Sequence, residues 1–330
     1  MKIELEIVRL HFTTPLHISN PRSDYARSET LIHSDALTAS IMQAWASLGK
    51  PEWISDNHGF AVSGLFPFLS GNGRYFYFLP KPVKDKLPEK IPAELIKKFR
   101  KTRFYQKEIF EKRLFGKLNV VKNEQFKGDY LCDPESFKVD KLRIVSSTVT
   151  PRIMRPRNPA ENSVPFYMEK LYFYSNTGLF FILITDNETE RNRFIQALVF
   201  LSENGIGSDR SVGNGRFEFS LDKIEINCPD ESEYFISLSA FIPESEMDLI
   251  DMIGEHTSYD IMRRGGWISE PYNTLRKRTV HMLVPGSVLR INGKEYLVKG
   301  KVTDLKPLNI QTHNAIYRSG KSIFLPIKPE

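Results

Sequence analysis

The sequence predicts an α+β fold made of two tandem units, and three observations carry that expectation. Through residue 223 the segments run strand, helix, two strands, a further hairpin, helix and strand; a basic, proline-containing stretch interrupts them at about residues 81–165; a second series of short strands with one short helix follows. The first order is an elaborated β-α-β-β-α-β, the split βαβ plan of ferredoxin-like and RRM-like domains. A chain of 330 residues, 41% hydrophobic and 12% aromatic, has enough apolar material for two cores. We therefore expect a unit over residues 1–223 with the insertion inside it, and a second ferredoxin-like unit over residues 224–330.

Each element has a local reason. Ile3, Leu5, Ile7 and Leu10 recur with near period two and predict a strand with one buried face. Residues 13–30 are polar and contain Pro15 and Pro21, so they read as a loop. Ser34 or Asp35 can cap the next helix, whose apolar face is Leu37, Ile41, Ala44, Trp45 and Leu48 and which stops at Gly49 and Pro51. Residues 60–68 and 74–79 form a strand pair about the turn signal Asn72-Gly73. Within the insertion one helix is expected over 93–115. Residues 167–174 and 179–185 read as a hairpin, and Phe194, Ile195, Leu198, Val199 and Leu201 as a helical stripe ending near Gly205, before a strand at 216–221. In the second unit, strands are expected at 234–242, 259–268 and 279–284, a helix at 244–253, a hairpin at 287–298 about Asn292-Gly293, and at least one more strand within 302–326.

Charge is unevenly placed. Residues 81–117 hold 13 Lys/Arg against 5 Asp/Glu, a net +8 that exceeds the +6 of the whole chain. Phe99, Phe104, Tyr105, Phe110 and Phe115 are interleaved there, which suits phosphate neutralisation with base stacking, or equally a solvated amphipathic helix whose rings face the core. Cys132 and Cys228 are far apart and lack a CxxC partner, which supports neither zinc nor a disulfide framework. No apolar run is long enough to cross a bilayer, and the N-terminus has no signal-peptide block, so a cytoplasmic protein without a membrane partner is expected.

Residues 205–217, GIGSDRSVGNGRF, concentrate Gly205, Gly207, Gly213 and Gly215 around Ser208, Arg210 and Arg216. Such a loop lets backbone N–H groups approach a phosphate, or simply connects a helix to a strand. It lacks the GK[ST] of a P-loop. It also lies after a helix and before a strand, the reverse of a dinucleotide fingerprint.

At this loop the chain resembles the RAMP superfamily of CRISPR-associated RNA-binding proteins, with its G-x-G-x-x-[RK]-x-x-G-x-G-x-[FL] signature. More specifically it is similar to the family of the fourth Csm subunit of type III-A effector complexes. The resemblance continues at Leu16–Ser19 and IHSD-A-L (residues 32–37), at RRGGWI (263–268), at VPGSVL (284–289) and at HNAIYRSGKSIFLPI (313–327). It weakens in the basic insertion, and Ser19 stands where the family often has glycine.

The resemblance implies a subunit that is not an enzyme, needs no cofactor or metal, and holds the 5′ handle of a guide RNA. Its implied partners are that RNA, the large polymerase/cyclase-like Csm subunit and the backbone RAMP Csm subunit, in antiviral defence. The residues expected at the RNA are His17, Arg22, His33 and Ser34 around the first loop and helix N-terminus. Arg152, Met154, Arg155 and Arg157 are expected on a thumb-like hairpin, with Ile153 beside Met154 as a wedge between bases. Gly205, Gly207, Ser208, Arg210, Gly213 and Gly215 belong to the glycine loop, and Arg263 and Arg264 to the second unit, beside Trp267, which is open to a stacking or a core role. Arg276-Lys277-Arg278 reads as a solvated basic patch.

Two other readings stay open. Some RAMP relatives cleave precursor guide RNA with a histidine general acid/base, for which His17, His33 and His58 are available. A lone RRM-type single-strand binder is the other, although the RNP aromatic pattern is visible in neither unit. Asp24 and Asp35 do not match the motif of RNA-cutting backbone subunits, and no GGDD or HD motif occurs.

Overall fold

The computed structural model describes residues 1–19, 25–139, 141–154, 162–268, 272, 274–293, 296–308 and 315–329. Its first strand, β1 (Lys2–Phe12), has apolar residues on both faces: Leu5 and Ile7 enter one core, Val8 and Leu10 another. This corrects the one-faced strand expected above. The consecutive pair Ile7-Val8 serves both sides of a sheet that is covered on both sides.

The helix α1 (Ser34–Ser47) buries Leu37, Ile41, Ala44 and Trp45 of the anticipated stripe, while Leu48, its C-cap, is 40% exposed. Next come β2 (Phe60–Val62) and β3 (Phe66–Gly71), where one strand was expected. The break falls at residues 63–65, opposite only Phe181 and Ile182 of the neighbouring strand, so the chain bulges; the Ser63 hydroxyl accepts the Ile182 N–H at 2.9 Å. β4 (Arg74–Pro80) closes the predicted hairpin, with Asn72 (φ 52°) and Gly73 (φ 72°) both left-handed as a primed turn requires.

The basic insertion is more regular than its composition suggests. In place of one helix it forms α2 (Ala93–Lys101), β5 (Phe104–Gln106) and α3 (Lys107–Leu114), followed by β6 (Tyr130–Leu131). Phe99, Phe104, Tyr105 and Phe110 are 0–4% exposed, while Lys97, Lys98, Arg100, Lys101 and Arg103 face solvent. Four of the interleaved rings are therefore core. Burying adjacent Phe104 and Tyr105 breaks the helix, because a strand presents neighbouring residues to opposite sides.

β7 (Val145–Met154) and β8 (Val164–Phe173) pair residue for residue from Val145↔Phe173 to Met154↔Val164 as a separate two-stranded ribbon. The expected hairpin of 167–174 with 179–185 does not form. β9 (Thr177–Thr185) instead pairs with β1, β2 and β3, so the turn at 174–176 carries the chain from ribbon to sheet. α4 (Glu188–Asn204) and β10 (Phe217–Asn227) follow. The sheet order is β10-β1-β9-β3-β4-β5-β6, with β2 beside β9. Its first four strands stand in the order that a β-α-β-β-α-β chain produces when its last strand adds outside its first. α1 and α4 cover one face, where Trp45, Phe194 and Leu198 meet Val8, Leu10 and Phe181. The Trp45 indole N–H donates to the Arg193 carbonyl at 2.9 Å and ties the two helices together.

The remaining elements are β11 (Tyr234–Ser237), α5 (Glu246–Met252), β12 (Ile261–Arg264), β13 (Val280–Leu283), β14 (Val288–Arg290), β15 (Val298–Lys299), β16 (Val302–Asp304), β17 (Tyr317–Ser319) and β18 (Ser322–Pro326). A four-stranded sheet runs β14-β11-β18-β15, and β12–β13 and β16–β17 are separate pairs. The hairpin expected over 287–298 is absent: β14 and β15 lie at opposite edges of that sheet. β10 stays paired with β1 as far as Lys2↔Asn227, past the expected boundary after residue 223. One core spans both halves, since Ile236, Leu238 and Leu325 pack in the same cluster as Ile7, Phe66 and Phe180. Among the described residues no helix is long and apolar enough to cross a membrane.

Gly178 shows how closely this sheet is packed. A Cβ there would stand 2.2 Å from the Leu10 carbonyl oxygen and 2.7 Å from the Phe68 ring. Gly178→Ala should therefore cost about 1–3 kcal/mol, the range for overpacking, read as a lower midpoint in urea unfolding.

Candidate nucleic-acid interface

The glycine-rich loop leaves α4 at Gly205, which has φ 80° and donates its N–H to the Leu201 carbonyl at 2.8 Å. It then doubles back on itself: Ile206 N–H reaches the Gly215 carbonyl at 3.0 Å, and a short 3-10 turn, Arg210–Val212, forms its crest. The loop is sewn to the first loop of the chain. Ser208 N–H donates to His17 O (2.9 Å), Gly215 N–H to Pro15 O (2.8 Å), and Arg216 N–H to Thr14 Oγ1 (2.8 Å).

Three of the four glycines are required by this packing. A Cβ would lie 2.2 Å from Asn214 O at Gly205, 2.5 Å from His17 O at Gly207 and 2.0 Å from Ile206 O at Gly215; at Gly213 it would meet nothing. Most of the loop's glycines thus serve its own packing. Among the described residues, the N–H groups of Gly207, Asp209, Arg210 and Ser211 have no acceptor, and these are the donors an anion could use.

The β7–β8 ribbon reaches this arc. Arg152 makes a close ion pair with Asp209 at the crest, and Ser19 Oγ lies 2.8 Å from Ser208 Oγ. Past Arg152 the ribbon exposes Ile153 (67%) and Met154 (58%), while its base is held by backbone bonds between Leu16 and Leu171 at 2.8 and 2.9 Å. Arg210 also reaches Gln43 of α1 at 3.4 Å, and Arg216 is exposed beside the loop. Arg22, Arg155 and Arg157 lie outside the described residues.

His17 belongs to the foundation of this site and not to its surface. It is 0% exposed, and its Nδ1 lies 2.7 Å from the Glu169 carbonyl of the ribbon. The expectation of direct contact is corrected here, because a ring sealed between two backbone segments presents no edge to a ligand. His58 is likewise buried, and burial, reinforced by the Lys321 charge, lowers its pKa to about 3. It is neutral at physiological pH.

A second cluster sits at the N-terminus of α1. His33 is the N-cap but makes no capping bond through its side chain; its Nε2 lies 3.5 Å from Glu29 Oε2. Ser34 does not cap either: it is 2% exposed and its Oγ accepts the Ala240 N–H at 2.9 Å. Asp35 is fully buried, and its Oδ2 accepts from Arg264 Nε (2.8 Å) and Arg318 Nη1 (2.6 Å). Ser34 and Arg264, expected at RNA, thus take part in joining the two halves. Burial alone would raise the Asp35 pKa. The Arg264 and Arg318 charges, with His33 behind them, override it and hold the carboxyl at about 2. Arg263 is exposed, and Trp267 is 55% exposed with the Arg276 guanidinium 4.6 Å from its ring centre, so the core alternative for this tryptophan does not apply. Gln43 stands nine residues beyond Ser34, so α1 separates the two clusters by roughly 13 Å at its ordinary rise.

The structure thus joins a β-α-β-β-α-β sheet to a glycine-rich loop that is docked on the first loop and braced by a ribbon. Residues 230–327 match the family model of the CRISPR Csm4 C-terminal domain. The chain is 25% identical over 266 residues to the CRISPR system Cms protein Csm4 of Thermococcus onnurineus (strain NA1), covering 75% of this chain and 77% of the relative. It is also 25% identical over 316 residues to Csm4 of Streptococcus thermophilus, covering 91% and 92%. Its fold is similar to a crystal structure of the Csm3-Csm4 subcomplex of a type III-A CRISPR-Cas interference complex, with TM-score 0.66, 18% identity and coverage of 98% and 100%. It is similar as well to one of a Csm1-Csm4 cassette with pppApA, with TM-score 0.60, 17% identity and 99% coverage of both chains. Residues 230–327 thus carry a Csm4 C-terminal domain, and the chain as a whole is similar to Csm4 proteins.

Two predictions arise from this geometry. Gly213→Ala should be tolerated with a left-handed backbone cost of about 1–2 kcal/mol, whereas Gly215→Ala should cost more, because the Ile206 carbonyl must move; urea unfolding of both variants ranks them. Asp35→Ala strands two buried guanidinium groups and should cost about 3–5 kcal/mol. Since the Asp35 pKa is depressed in the folded state, its stabilisation is complete above the ordinary carboxylate value near 3.8 and is lost as pH falls through about 2. The stability gap between parent and variant should accordingly be flat from about pH 5 to 8 and shrink below about pH 4.

Proposed function

We propose that this chain is the non-catalytic subunit of a type III-A CRISPR ribonucleoprotein that binds and caps the 5′ handle of the guide RNA. In this reading it works in the cytoplasm, contacts a backbone RAMP subunit of the Csm3 kind, and anchors a large polymerase-like subunit of the Csm1 kind. Similarity to Csm4 proteins and the solved assemblies of relatives support the partners. The chain is read as two ferredoxin-like units, the first supported by the order β10-β1-β9-β3.

The observation that carries the RNA reading is the exposed arc of residues 207–213. It offers four unused backbone N–H groups beside Arg152, Arg210 and Arg216, close to exposed Ile153 and Met154 of the ribbon. Backbone donors and guanidinium groups bind phosphate without regard to base, while apolar side chains at the ribbon's end can part a base step. His33, Arg263 and the arginines outside the described residues, Arg22, Arg155 and Arg157, are assigned to the same RNA as further contacts.

The test is the salt dependence of binding to a single-stranded RNA carrying the handle sequence. If Arg210 and Arg216 each neutralise one phosphate, the double alanine variant should lower the slope of log K against log salt by about 1.4 in magnitude. An unchanged slope would remove these residues from the RNA path.

One observation favours a second reading, a histidine-dependent endoribonuclease. His33 is partly exposed and paired with Glu29, as a general acid/base would be. His33→Ala should leave RNA processing by the assembled complex unchanged at saturating RNA. Loss of cleavage at full occupancy would favour the nuclease.

A further inference from the structure

The short helix α5 carries an apolar stripe that the RNA site does not use. Leu249 and Met252 face inward onto the core formed by Phe235, Leu283, Leu289 and Phe324. On the other side Met247 is 66% and Ile250 59% exposed, with Ile253 just past the helix end at 45%. These three recur at intervals of three residues and so form one continuous strip along the helix. Large apolar groups repeated in register on one exposed face are an interaction signature; scattered ones are not.

The charge around the strip restricts what can cover it. Glu244, Glu246, Asp248 and Asp251 surround these residues, and residues 243–255 contain no lysine or arginine. Among the described residues none of those four carboxylates has a cation within 4.0 Å. The nearby cations are engaged elsewhere: Arg290 donates to the Asp251 carbonyl at 3.1 and 3.2 Å, and Lys301 to the Glu244 carbonyl at 2.8 Å. Asp248 is partly used in capping, its Oδ2 accepting the Glu244 N–H at 3.2 Å. The helix therefore shows an apolar centre with an unneutralised acidic rim, on a chain whose net charge is +6.

We propose that this face of α5 is a docking surface for a protein partner whose own patch is an apolar groove rimmed by lysine and arginine. The inference rests on the reading of the chain as a complex subunit. RNA is excluded as the occupant because its phosphates would meet four uncompensated carboxylates. A second copy of the chain placed across a two-fold axis is excluded for the same reason, since a two-fold contact sets the acidic rim against itself. A groove fits better than a flat partner: Met247, Ile250 and Ile253 project at the spacing by which a helix lays its apolar side into a cleft. A basic rim would both steer the approach and reject partners of like charge.

The test uses the full chain, the handle RNA, and the Csm1-type and Csm3-type subunits encoded with it. Two surface variants are compared with the parent, Met247→Gln with Ile250→Gln, and Glu246→Lys with Asp251→Lys; all four residues are exposed, so circular dichroism and thermal midpoint should be unchanged. Each variant should weaken association with one of the two partner proteins by roughly tenfold or more, with RNA affinity held within about twofold. Partner affinities that stay within about twofold of the parent, or a loss of RNA affinity alongside them, would overturn the proposal. So would concentration-dependent self-association of the parent that both variants abolish. Failure of the parent itself to join either partner would instead overturn the subunit reading on which the proposal stands.

Discussion

The buried carboxylate of Asp35 is a charged tie between the two halves of this molecule, set beside the apolar core they share. It is buried at the start of α1 and accepts from Arg264 of β12 and Arg318 of β17, while the adjacent Ser34 accepts a backbone N–H from Ala240. A charge so fully removed from water persists only with partners of opposite sign held in close geometry. The three residues come from three distant segments, so the arrangement exists only when the whole chain is folded. The arrangement joins the N-terminus of α1 to the strand that also bears exposed Arg263.

The loop depends on a different physical device, close backbone approach. Gly205, Gly207 and Gly215 allow the loop to lie against itself and against residues 14–17, where any side chain would collide with a carbonyl oxygen. That contact uses up most of the loop's hydrogen-bond donors and leaves a short arc free. The Arg152–Asp209 pair then brings the ribbon to the same place. The residues most visible as a glycine motif are mainly structural, and the donors left free are a few N–H groups between them.

The molecule also separates its charges. The insertion buries Phe99, Phe104, Tyr105 and Phe110 and exposes Lys97, Lys98, Arg100, Lys101 and Arg103, whereas α5 carries uncompensated carboxylates. A polyanion and a basic protein surface can therefore be bound by one chain without competing, since each is repelled from the other's site.

Much of this was legible in the sequence where the reason was local. The Trp45 face of α1, the Asn72-Gly73 turn and the Gly205 helix end are set by side-chain periodicity and backbone sterics within a few residues, and all three are found as expected. The glycine loop and the motifs matching it were also readable, because glycine spacing survives as a pattern. What the sequence could not decide was partnership across long separations. Nothing local distinguishes Arg264, which is bound to Asp35, from Arg263, which is exposed. His17 looks like a contact until the ribbon closes over it, and 167–174 looks like half of a hairpin until β7 claims it. The strand, helix and loop propensities were determined by the sequence itself; which charges pair, which rings are buried and which donors remain free were decided only by the tertiary structure, because those depend on what the rest of the chain brings alongside.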